Sequence, residues 1–281
     1  MKTGLVLEGG AMRGMYTAGV LDVMIENDIR VDGVIGVSAG AVFGCNYKSG
    51  QIGRSIRYNE KYCRDPRYCS VRSLLFTGDL YNEKFCYHDI PETLDPFDND
   101  AFIKNPTPFW VVCTDVNTGE PVYHLCTDCG AEDLQWMRAS ASMPLASRVV
   151  KAGGYELLDG GVSDSIPLAW FRAQGYERNI VILTRPEGYR KEPTSALPLM
   201  KLALHRYPKL VERMANRHND YNAAVELVES DKSGNTLLLR PSRAPGVKRV
   251  ERDPAKLRAL YNLGREDALA RLEEIRTFVL N

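Results

Sequence analysis

One short segment, Gly36-Val37-Ser38-Ala39-Gly40, constrains the fold of this chain more than any other. An apolar run precedes it, and small residues compatible with the start of a helix follow it. A chain that turns so sharply from strand to helix needs small residues on both sides, and the serine oxygen then stands exposed at the helix N-terminus. The pattern predicts Ser38 at a nucleophile elbow flanked by Gly36 and Gly40. An ordinary tight turn is the alternative, because short clusters of glycine, serine and alanine also form turns.

The residues before this segment predict a βαβ unit. Residues 4–7 are a short apolar strand candidate, the glycine-rich loop 8–14 follows, and an apolar helical face over residues 12–24 ends at Asn27-Asp28. Such units form parallel sheets, whose ligands bind beyond the carboxyl ends of the strands. We therefore expect the glycine loop and Ser38 to open onto the same edge of one sheet.

The middle of the chain predicts a mixed sheet. The turn sequence at 117–120 lies between two strand-like runs, residues 109–114 and 121–125, which is typical of an antiparallel hairpin. Residues 51–108 are interpreted as helices and a loop that cap the site, and the small residues at 140–144 as the lining of a pocket. Further predicted elements are a helix at 134–141, a strand at 155–158 leading into Asp159-Gly160-Gly161, a helix at 167–173 and a strand at 180–184.

The composition changes after residue 185, where a polar segment with prolines begins. We expect helices between residues 197 and 228, a strand at 236–239, and a last helix with Asp253 as N-cap and Pro254 at its first position. The apolar stripe of that helix comprises Leu257, Tyr261, Gly264, Ala268, Leu272, Ile275 and Val279. The predicted division is a first domain over residues 4–185 and a largely helical extension over 186–281 packed on it.

Charge and apolar patterning exclude several classes of protein. The 36 Lys and Arg residues balance the 36 Asp and Glu residues, so we expect no nucleic-acid partner. No apolar run approaches the roughly 18 residues that a membrane span needs, and the N-terminal apolar run is too short for a signal peptide. The seven cysteines, odd in number and irregular in spacing, fit reduced thiols. We expect a cytoplasmic protein, with peripheral contact to a membrane as a further option.

The sequence predicts neither a metal ion nor a cofactor. Cys126 and Cys129 form the one Cys-x-x-Cys pair, and neither a second pair nor two histidines at metal-ligand spacing accompany it. A redox or metal role for this pair is the less favoured interpretation. The histidines lie outside recognisable catalytic loops and are interpreted as structural or solvated; they are His88, His124, His205 and His218.

A serine hydroxyl needs a base and a stabilised oxyanion to act as a nucleophile. The glycine loop offers backbone N–H groups at the start of a helix, where the dipole favours negative charge. A dinucleotide-binding loop is the competing interpretation, with Asp28 or Asp32 near the position of a ribose-binding acid. Ala11 replaces the middle glycine of that pattern, however, and Ser38 would be left unexplained.

Asp159 is the best candidate for the base. It follows a predicted strand and precedes Gly160-Gly161, which places its carboxylate at the same sheet edge as Ser38. A carboxylate in contact with a serine hydroxyl can accept its proton when partial desolvation raises its basicity. A simple Asp-Gly-Gly turn without a chemical role is the alternative.

Four motifs together resemble the patatin-like phospholipase family of serine acyl hydrolases: EGGAMRG at 8–14, GVSAG at 36–40, SASMPL at 140–145 and DGG at 159–161. The resemblance covers residues 4–185. It implies an α/β three-layer sandwich with a central, mostly parallel sheet, followed by the extension. It also implies a catalytic dyad without histidine, in which Ser38 is the nucleophile and Asp159 is the base.

The resemblance further assigns the oxyanion hole to the glycine loop, with Arg13 at the family's basic position. The residues concerned are Gly9, Gly10, Ala11, Met12, Arg13 and Gly14. Ala11 departs from the family's run of glycines, and a positive φ at an alanine costs about 1 kcal/mol. The implied substrates are lipid or other acyl esters, and the reaction needs no cofactor.

The sequence leaves the choice of substrate open. The dyad suits a lipid acyl hydrolase of the phospholipase or lysophospholipase type, or a general esterase or thioesterase for small soluble esters. A non-enzymatic acyl- or nucleotide-binding protein is the third option. A basic stripe at helical spacing would meet anionic lipid head groups or form a solvated helix face, and we favour the solvated face. The stripe consists of Arg206, Lys209, Arg213 and Arg217.

Overall fold

The computed structural model describes residues 1–244 and 246–280. Within these residues, eight strands form one mixed sheet. Its strands are β1 (Thr3–Leu7), β2 (Gly33–Val37), β3 (Phe109–Asp115), β4 (Pro121–Cys126), β5 (Val150–Ala152), β6 (Tyr155–Asp159), β7 (Arg178–Ile182) and β8 (Thr236–Leu239).

The order across the sheet is β5-β6-β3-β2-β1-β7-β8, and β4 pairs with β3 outside this path. Neighbouring strands from β3 to β8 in this order run parallel. By contrast, β4 and β6 run antiparallel to β3, and β5 runs antiparallel to β6. The predicted hairpin is confirmed as β3 and β4. Since Leu7 at the end of β1 lies opposite Gly36 in β2, the glycine loop and the elbow leave the sheet at the same edge.

Helices cover both faces of this sheet. They are α1 (Met15–Glu26), α2 (Ala39–Ser49), α3 (Arg54–Tyr62), α4 (Val71–Thr77), α5 (Asn99–Lys104), α6 (Ala131–Ser140), α7 (Leu168–Ala173), α8 (Leu197–Ala203), α9 (Pro208–Glu229), α10 (Pro254–Ala270) and α11 (Leu272–Leu280). Short 3-10 turns at Ala11–Gly14 and Gly160–Val162 and a π-helical segment at Phe85–Leu94 add to these. Within this part of the chain, no helix combines the length and the apolarity needed to span a bilayer.

The side chains of the central strands alternate between two apolar layers. Leu5 and Leu7 of β1 belong to a core that also contains residues of α1, α2 and α10. Val6, between them, belongs to a second core with residues of α7 and α9. Every residue of β1, β2 and β7 is buried, as is typical of parallel strands covered on both faces. The architecture is the predicted three-layer α/β sandwich with a mostly parallel sheet.

The C-terminal part of the chain shares this sheet and core. β8 extends the sheet beside β7, and α10 packs directly on α1. Glycines allow the two helices to touch, because a Cβ at Gly264 would lie 2.1 Å from the Tyr16 carbonyl oxygen and one at Gly19 would lie 2.1 Å from that of Tyr261. The boundary between residues 185 and 186 stays a prediction.

The last predicted helix is divided in the structure. Its start is as predicted, since the Asp253 carboxylate accepts a backbone N–H of the first turn at 3.0 Å. The helix then breaks at Arg271, between α10 and α11. Leu257 before the break and Ile275 after it lie in the same apolar core. The predicted apolar stripe is therefore continued by two helices instead of one.

Candidate active site

Ser38 lies at a strained turn between β2 and α2. Its φ of 54° and ψ of −120° fall in a region that residues with side chains rarely adopt. Neighbouring glycines make the turn possible. A Cβ at Gly36 would lie 2.6 Å from the Gly40 carbonyl oxygen, and a Cβ at Gly40 would lie 2.4 Å from the Leu7 carbonyl oxygen. These close approaches are the geometry of a nucleophile elbow.

A buried serine at the end of α6 holds this turn in place. The Ser140 hydroxyl accepts the backbone N–H of Ser38 at 2.8 Å and donates to the Val112 carbonyl oxygen at 2.6 Å. Both hydrogen bonds are buried, so each satisfies a backbone group that would otherwise be desolvated without a partner. Ser140 therefore connects the elbow to β3.

Asp159 is the last residue of β6, and its backbone is anchored on both sides. Its N–H donates to the Ser142 carbonyl oxygen at 2.8 Å, and its own carbonyl oxygen accepts from Thr114 Oγ1 at 2.8 Å. In the side chain, Oδ1 accepts the Gly161 N–H at 2.7 Å. The other oxygen, Oδ2, is buried and has no hydrogen-bond partner of good geometry among the described residues. Oδ2 is therefore the oxygen that is available for a proton.

Gly160 after Asp159 is sterically required, and Gly161 has little room for a side chain. A Cβ at Gly160 would lie 2.2 Å from the Val112 carbonyl oxygen, and one at Gly161 would lie 3.0 Å from Oδ1 of Asp159. The Asp-Gly-Gly turn thus packs its backbone against β3 and brings an N–H to the carboxylate.

Ser38 and Asp159 lie close together in a buried environment. Their exposed fractions are 9% and 1%. Burial raises the pKa of the Asp159 carboxyl above its usual range, while the nearby Arg217, the Ser38 side chain and the Gly161 N–H favour the ionised form. The raised pKa makes this carboxylate a stronger base than an exposed aspartate.

The glycine loop lies directly beside the elbow. A Cβ at Gly9 would lie 2.9 Å from Cβ of Ser38. The N–H groups of Gly9, Gly10 and Ala11 have no hydrogen-bond acceptor within residues 1–244 and 246–280. Ala11 has a φ of 48°, so the loop carries the strain of about 1 kcal/mol that a left-handed alanine costs. These three N–H groups are free to bind an oxyanion.

The second half of the predicted oxyanion loop is engaged elsewhere. The N–H of Met12 donates to the Arg249 carbonyl oxygen at 3.3 Å, and that of Arg13 donates to the Gly10 carbonyl oxygen at 3.1 Å. At Gly14 a Cβ would lie 2.8 Å from an aromatic ring of α2, so this glycine serves helix packing. Of the six predicted residues, Met12 and Arg13 thus have N–H groups bound to protein carbonyl oxygens, and the assignment of the oxyanion hole to this loop stays a prediction.

A mostly apolar cavity of about 700 Å³ is lined in part by Ser38. This volume lies within the range of about 300–1,000 Å³ that is typical of ligand pockets. Segments between residues 51 and 108, predicted to cap the site, contribute to its walls together with α2, α6 and α8. Representative lining residues are Val42, Phe43, Tyr58, Ile90, Met137 and Met200.

A second pocket of about 50 Å³, lined by both Ser38 and Asp159, is strongly basic. Burial, and next the charge of Arg217, lower the pKa of Lys191 to about 7. Burial, and next the charge of Arg185, lower that of Arg13 to about 10. The basic side chains that line this pocket are Arg13, Arg185, Lys191, Arg217 and Arg249.

The basic stripe predicted from helical spacing is divided between the site and the surface. Arg217 and Arg213 donate to backbone carbonyl oxygens in the turn that follows Asp159. Arg206 and Lys209 are exposed. Arg217 thus belongs to the site, which a solvated helix face does not predict.

The histidines make other contacts than Ser38. His88 lies 2.9 Å from the Glu92 carboxylate on the surface, and His205 contacts a backbone carbonyl oxygen at 3.0 Å. His124 pairs with Asp133, and His218 lines the large cavity. Among the described residues, no histidine forms a hydrogen bond with Ser38.

One cluster, His124, Cys126 and Asp133, has the ligand types and the spacing for a metal ion, with the ligand atoms within 4.8 Å of one another. The Asp133 carboxylate is already engaged, since it accepts the N–H groups of residues 127–129 and lies 2.7 Å from the His124 ring. Burial raises the pKa of the Cys126 thiol well above its usual value, which disfavours the thiolate that binds metals. The cluster is explained by the turn that it stabilises before α6.

Two contributions to the site are absent from the sequence-based predictions. The segment 140–144 lines a pocket as expected, but Ser140 and Ser142 also bind the backbones of Ser38 and Asp159. The hydroxyl of Ser140, in a stretch of small residues, is a signal that could have found the first contact, whereas Ser142 holds Asp159 through its backbone oxygen and its side chain gives no signal. Lys191 lies in a polar link and gives no such signal.

Comparison with known proteins finds relatives over most of the chain. The uncharacterized protein YjjU of Escherichia coli (strain K12) is 29% identical over 222 residues, which are 72% of this chain and 60% of that protein. Lysophospholipase NTE1 of Candida glabrata is 28% identical over 179 residues, 61% of this chain and 10% of that protein. The chain thus spans at most 60% of the length of these two relatives. The crystal structure of VipD from Legionella pneumophila matches 97% of this chain and 67% of that chain, with 12% identity and a TM-score of 0.47.

Family models match two parts of the chain. Residues 207–280 match a domain of unknown function. Residues 5–171, more than half of the chain, match the model described as Patatin-like phospholipase. This range contains Ser38, Asp159 and all four motifs quoted from the sequence. The chain therefore belongs to the patatin-like phospholipase family.

Proposed function

We propose that this protein is a lipid acyl hydrolase of the phospholipase or lysophospholipase type, which works through an acyl-enzyme on Ser38 with Asp159 as the base. One observation carries the proposal: a serine at a strained elbow lies beside a buried, unusually basic carboxylate, at the wall of a large apolar cavity. Membership of the family and similarity to a lysophospholipase support it.

In the first half-reaction, Oδ2 of Asp159 accepts the hydroxyl proton as Ser38 Oγ attacks the ester carbonyl carbon. The N–H groups of Gly9, Gly10 and Ala11 stabilise the resulting oxyanion, since no acceptor among the described residues competes for them. The carbonyl then re-forms, the bond to the alcohol oxygen breaks, and Asp159 returns the proton to the leaving alcohol.

In the second half-reaction, water replaces the alcohol. The oxygen of the water molecule attacks the carbonyl carbon of the acyl-enzyme, and Asp159 accepts a proton from this water molecule. The same loop amides hold the second oxyanion. Collapse releases the fatty acid, and the proton passes from Asp159 to Ser38 Oγ.

The cavity beside Ser38 supports a long acyl chain over a short one. Its walls are mostly apolar and its volume is about 700 Å³. Each methylene group of an acyl chain that is buried there stabilises the bound substrate by about 0.8 kcal/mol. A small soluble ester would leave most of that surface unfilled. This observation favours the lipid hydrolase over the general esterase or thioesterase.

Exposed apolar side chains beside the cavity support contact with a lipid surface. Leu75 and Phe76 of α4 are 77% and 80% exposed, and α4 ends shortly before Leu80, which lines the cavity. Leu202 of α8 is 75% exposed, while Met200 of the same helix lines the cavity. We therefore propose that α4 and α8 dip into the surface of a micelle or membrane when substrate enters.

The two parts of the chain supply different residues of the proposed site. Residues 4–185 supply the nucleophile, the base and the oxyanion loop, whereas residues 186–281 supply Lys191, Arg217 and Arg249 around them. The second part is therefore proposed to complete the site rather than to act alone.

A chain-length series tests the function. Hydrolysis of p-nitrophenyl esters from two to sixteen acyl carbons is measured for the unaltered protein and for Ser38→Ala. We expect kcat/KM to rise with chain length and the variant to be inactive. A maximum at the shortest esters would favour a general esterase, and no turnover of any ester would favour a non-enzymatic binder.

A further inference from the structure

We propose that Lys191, Arg217 and Arg249 form an anion subsite, which binds a phosphate group of the substrate next to the ester that Ser38 attacks. This inference rests on the proposed function and specifies its substrate as an acyl ester with a nearby phosphate. The patatin-like phospholipase match ends at residue 171, before these three residues. Arg217 and Arg249 lie within the match to a domain of unknown function, residues 207–280.

The charge balance of the small pocket is the first observation. Five basic side chains line it, and its only carboxylates among the described residues are Glu8 and Asp159. Glu8 is already engaged, since its Oε2 accepts both the N–H of Thr184 at 2.5 Å and the Thr184 hydroxyl at 3.0 Å. These donors are neutral, so Glu8 keeps its charge and still attracts the cations. Two carboxylates against five cations nevertheless leave an excess of positive charge in the pocket.

The contacts of the cations are the second observation. None of the five forms a salt bridge with a carboxylate in the part of the chain that the structure describes. Lys191 Nζ lies over the Tyr221 ring at 4.0 Å, and Arg217 donates to the Gly161 carbonyl. Nε of Arg13 is buried and has no hydrogen-bond partner among the described residues. Arg249 is exposed, whereas the other four cations are buried or half-buried. Holding unpaired cations close together in partly desolvated surroundings is costly, and a bound anion would lower this cost.

The lowered pKa values agree with this geometry. Desolvation is the largest cause for Lys191, and the neighbouring cations Arg217, Arg249 and Arg13 add to it. A phosphate among them would supply the missing counter-charge and several acceptor oxygens. Charge-assisted hydrogen bonds of this kind are about twice as strong as neutral ones.

The position of the pocket selects the kind of substrate. The small basic pocket and the large, mostly apolar cavity meet at Ser38, Ala11 and Met143. Lys191, Arg217 and Arg249 line both of them, so the proposed subsite lies where the two join. An acyl chain in the cavity places its ester at Ser38, and the group attached to the alcohol oxygen then faces the cations. A glycerol phosphate fits, because its phosphate is only a few bonds from the acyl ester. Neutral glycerides lack the group that the pocket would bind.

The test compares two substrates with the same acyl chain and the full-length protein. One is 1-acylglycerophosphoglycerol, which carries one phosphodiester charge, and the other is the neutral 1-acylglycerol. We expect kcat/KM to be at least tenfold higher for the phosphodiester lipid, in line with one or more hydrogen bonds to a charged group. Equal kcat/KM for the two lipids, or a preference for the neutral one, would overturn the proposal.

Two variants assign the preference to the subsite. Arg249→Gln and Lys191→Gln are each expected to lower kcat/KM for the phosphodiester lipid about tenfold more than kcat/KM for the neutral lipid. Lys248→Gln is the matched control, because Lys248 is exposed next to Arg249 but does not line the pocket. Equal losses on both lipids would indicate a structural role and contradict the subsite.

Inorganic phosphate distinguishes a substrate phosphate from free phosphate and keeps the subsite testable if no ester is hydrolysed. We expect phosphate, but not chloride at equal ionic strength, to raise the Tm of Ser38→Ala, and this shift to disappear after Arg249→Gln. Phosphate binding without any preference among the lipids would indicate a free-phosphate site and overturn the substrate assignment. If no ester is hydrolysed, the proposed function is wrong, but the anion subsite can still be tested. A rise of Tm with phosphate that Arg249→Gln abolishes would support the subsite, and a rise that persists in this variant would contradict it.

Discussion

Ser140 Oγ accepts the backbone N–H of Ser38 at 2.8 Å, across 102 residues of sequence. The hydroxyl group of Ser140 in turn donates to the Val112 carbonyl oxygen at 2.6 Å. The nucleophile elbow is therefore not a local property of its five residues. It depends on a side chain at the end of α6, which also leads into the segment that anchors Asp159.

Replacing Ser140 by alanine removes this support. The buried N–H of Ser38 and the carbonyl of Val112 lose a partner, which costs about 1–3 kcal/mol. We expect Ser140→Ala to lower the free energy of unfolding by that amount and to reduce kcat about tenfold with little change in KM, because the oxygen of Ser38 is no longer held in register. Urea unfolding and steady-state kinetics measure both effects.

Ser142→Ala is the control for this prediction. Its hydroxyl donates to the Arg138 carbonyl at 2.7 Å, whereas Asp159 is held by the backbone oxygen of Ser142. We expect this variant to lose stability but to keep its kcat. A kcat for Ser140→Ala as high as that of Ser142→Ala would show that the hydrogen bond to Ser38 is irrelevant to the reaction.

Asp159→Asn separates stability from activity. Burial raises the pKa of Asp159 in the folded protein above the value in the unfolded chain, so the native state binds its proton more tightly and the ionised carboxylate is disfavoured by folding. Stability is therefore lost as pH rises from the unfolded pKa through the folded one. The neutral amide avoids this cost.

We thus expect Asp159→Asn to have a higher Tm than the unaltered protein at pH 7–8, with the difference vanishing below about pH 4, near the unfolded pKa. Its esterase activity should fall at least a thousandfold. A lower Tm at neutral pH would mean that the attraction to Arg217 outweighs the burial cost.

Ala11→Gly tests the strain in the oxyanion loop. Glycine adopts the left-handed φ of 48° at this position without strain, which stabilises the folded protein by about 1 kcal/mol. It also gives the unfolded chain more freedom, which lowers the free energy of unfolding by about 0.5–1 kcal/mol. We expect a Tm within about 2 °C of the unaltered protein and full activity.

Gly9→Ala is the matched opposite change, since its Cβ would lie 2.9 Å from that of Ser38 and 3.0 Å from the Val37 carbonyl oxygen. We expect it to be inactive. An active Gly9→Ala protein would place the oxyanion hole elsewhere.

The pH dependence of substrate preference follows from Lys191. Its pKa of about 7 means that it is charged below pH 7 and neutral above. The charged groups around it are Arg217, Glu8, Arg249 and Arg13. We expect the ratio of kcat/KM for the phosphodiester over the neutral lipid to decrease as pH rises through 7. Because both lipids use the same dyad, titration of Asp159 cancels in this ratio. If the ratio shows the same pH dependence in Lys191→Gln as in the unaltered protein, titration of Lys191 is not its cause.

Much of the fold can be predicted from the sequence, because many of its turns, strands and helix ends depend on short local patterns. The elbow glycines, the hairpin between β3 and β4 and the N-cap at Asp253 each depend on a few adjacent residues. Ser38 and Asp159 are both predicted at one sheet edge, but they reach it in different ways. β2 ends directly before Ser38, whereas β6 runs antiparallel to β3 and pairs only with its last residues. Asp159 therefore lies opposite Cys113, one residue beyond the level at which β2 ends. The break at Arg271 is missed, because the apolar stripe continues on both sides of it.

The rest of the site depends on contacts between distant residues. In the glycine loop, for example, the N–H of Met12 is not free, because it donates to the carbonyl oxygen of the distant Arg249. Arg217 has the spacing of a surface helix residue, and only the packing of α9 against the turn after Asp159 places it in the site. No local pattern reports such contacts, since they arise from how the C-terminal segments return to the sheet.

The most direct measurement is the identification, by mass spectrometry, of the residue labelled by a fluorophosphonate probe. The probe reacts with a serine only when a base activates it and an oxyanion site receives it. We predict labelling at Ser38 in the unaltered protein, and loss of labelling in Asp159→Asn although that variant stays folded. Labelling at another residue, or undiminished labelling of Ser38 in Asp159→Asn, would contradict the assignment of these two residues as nucleophile and base.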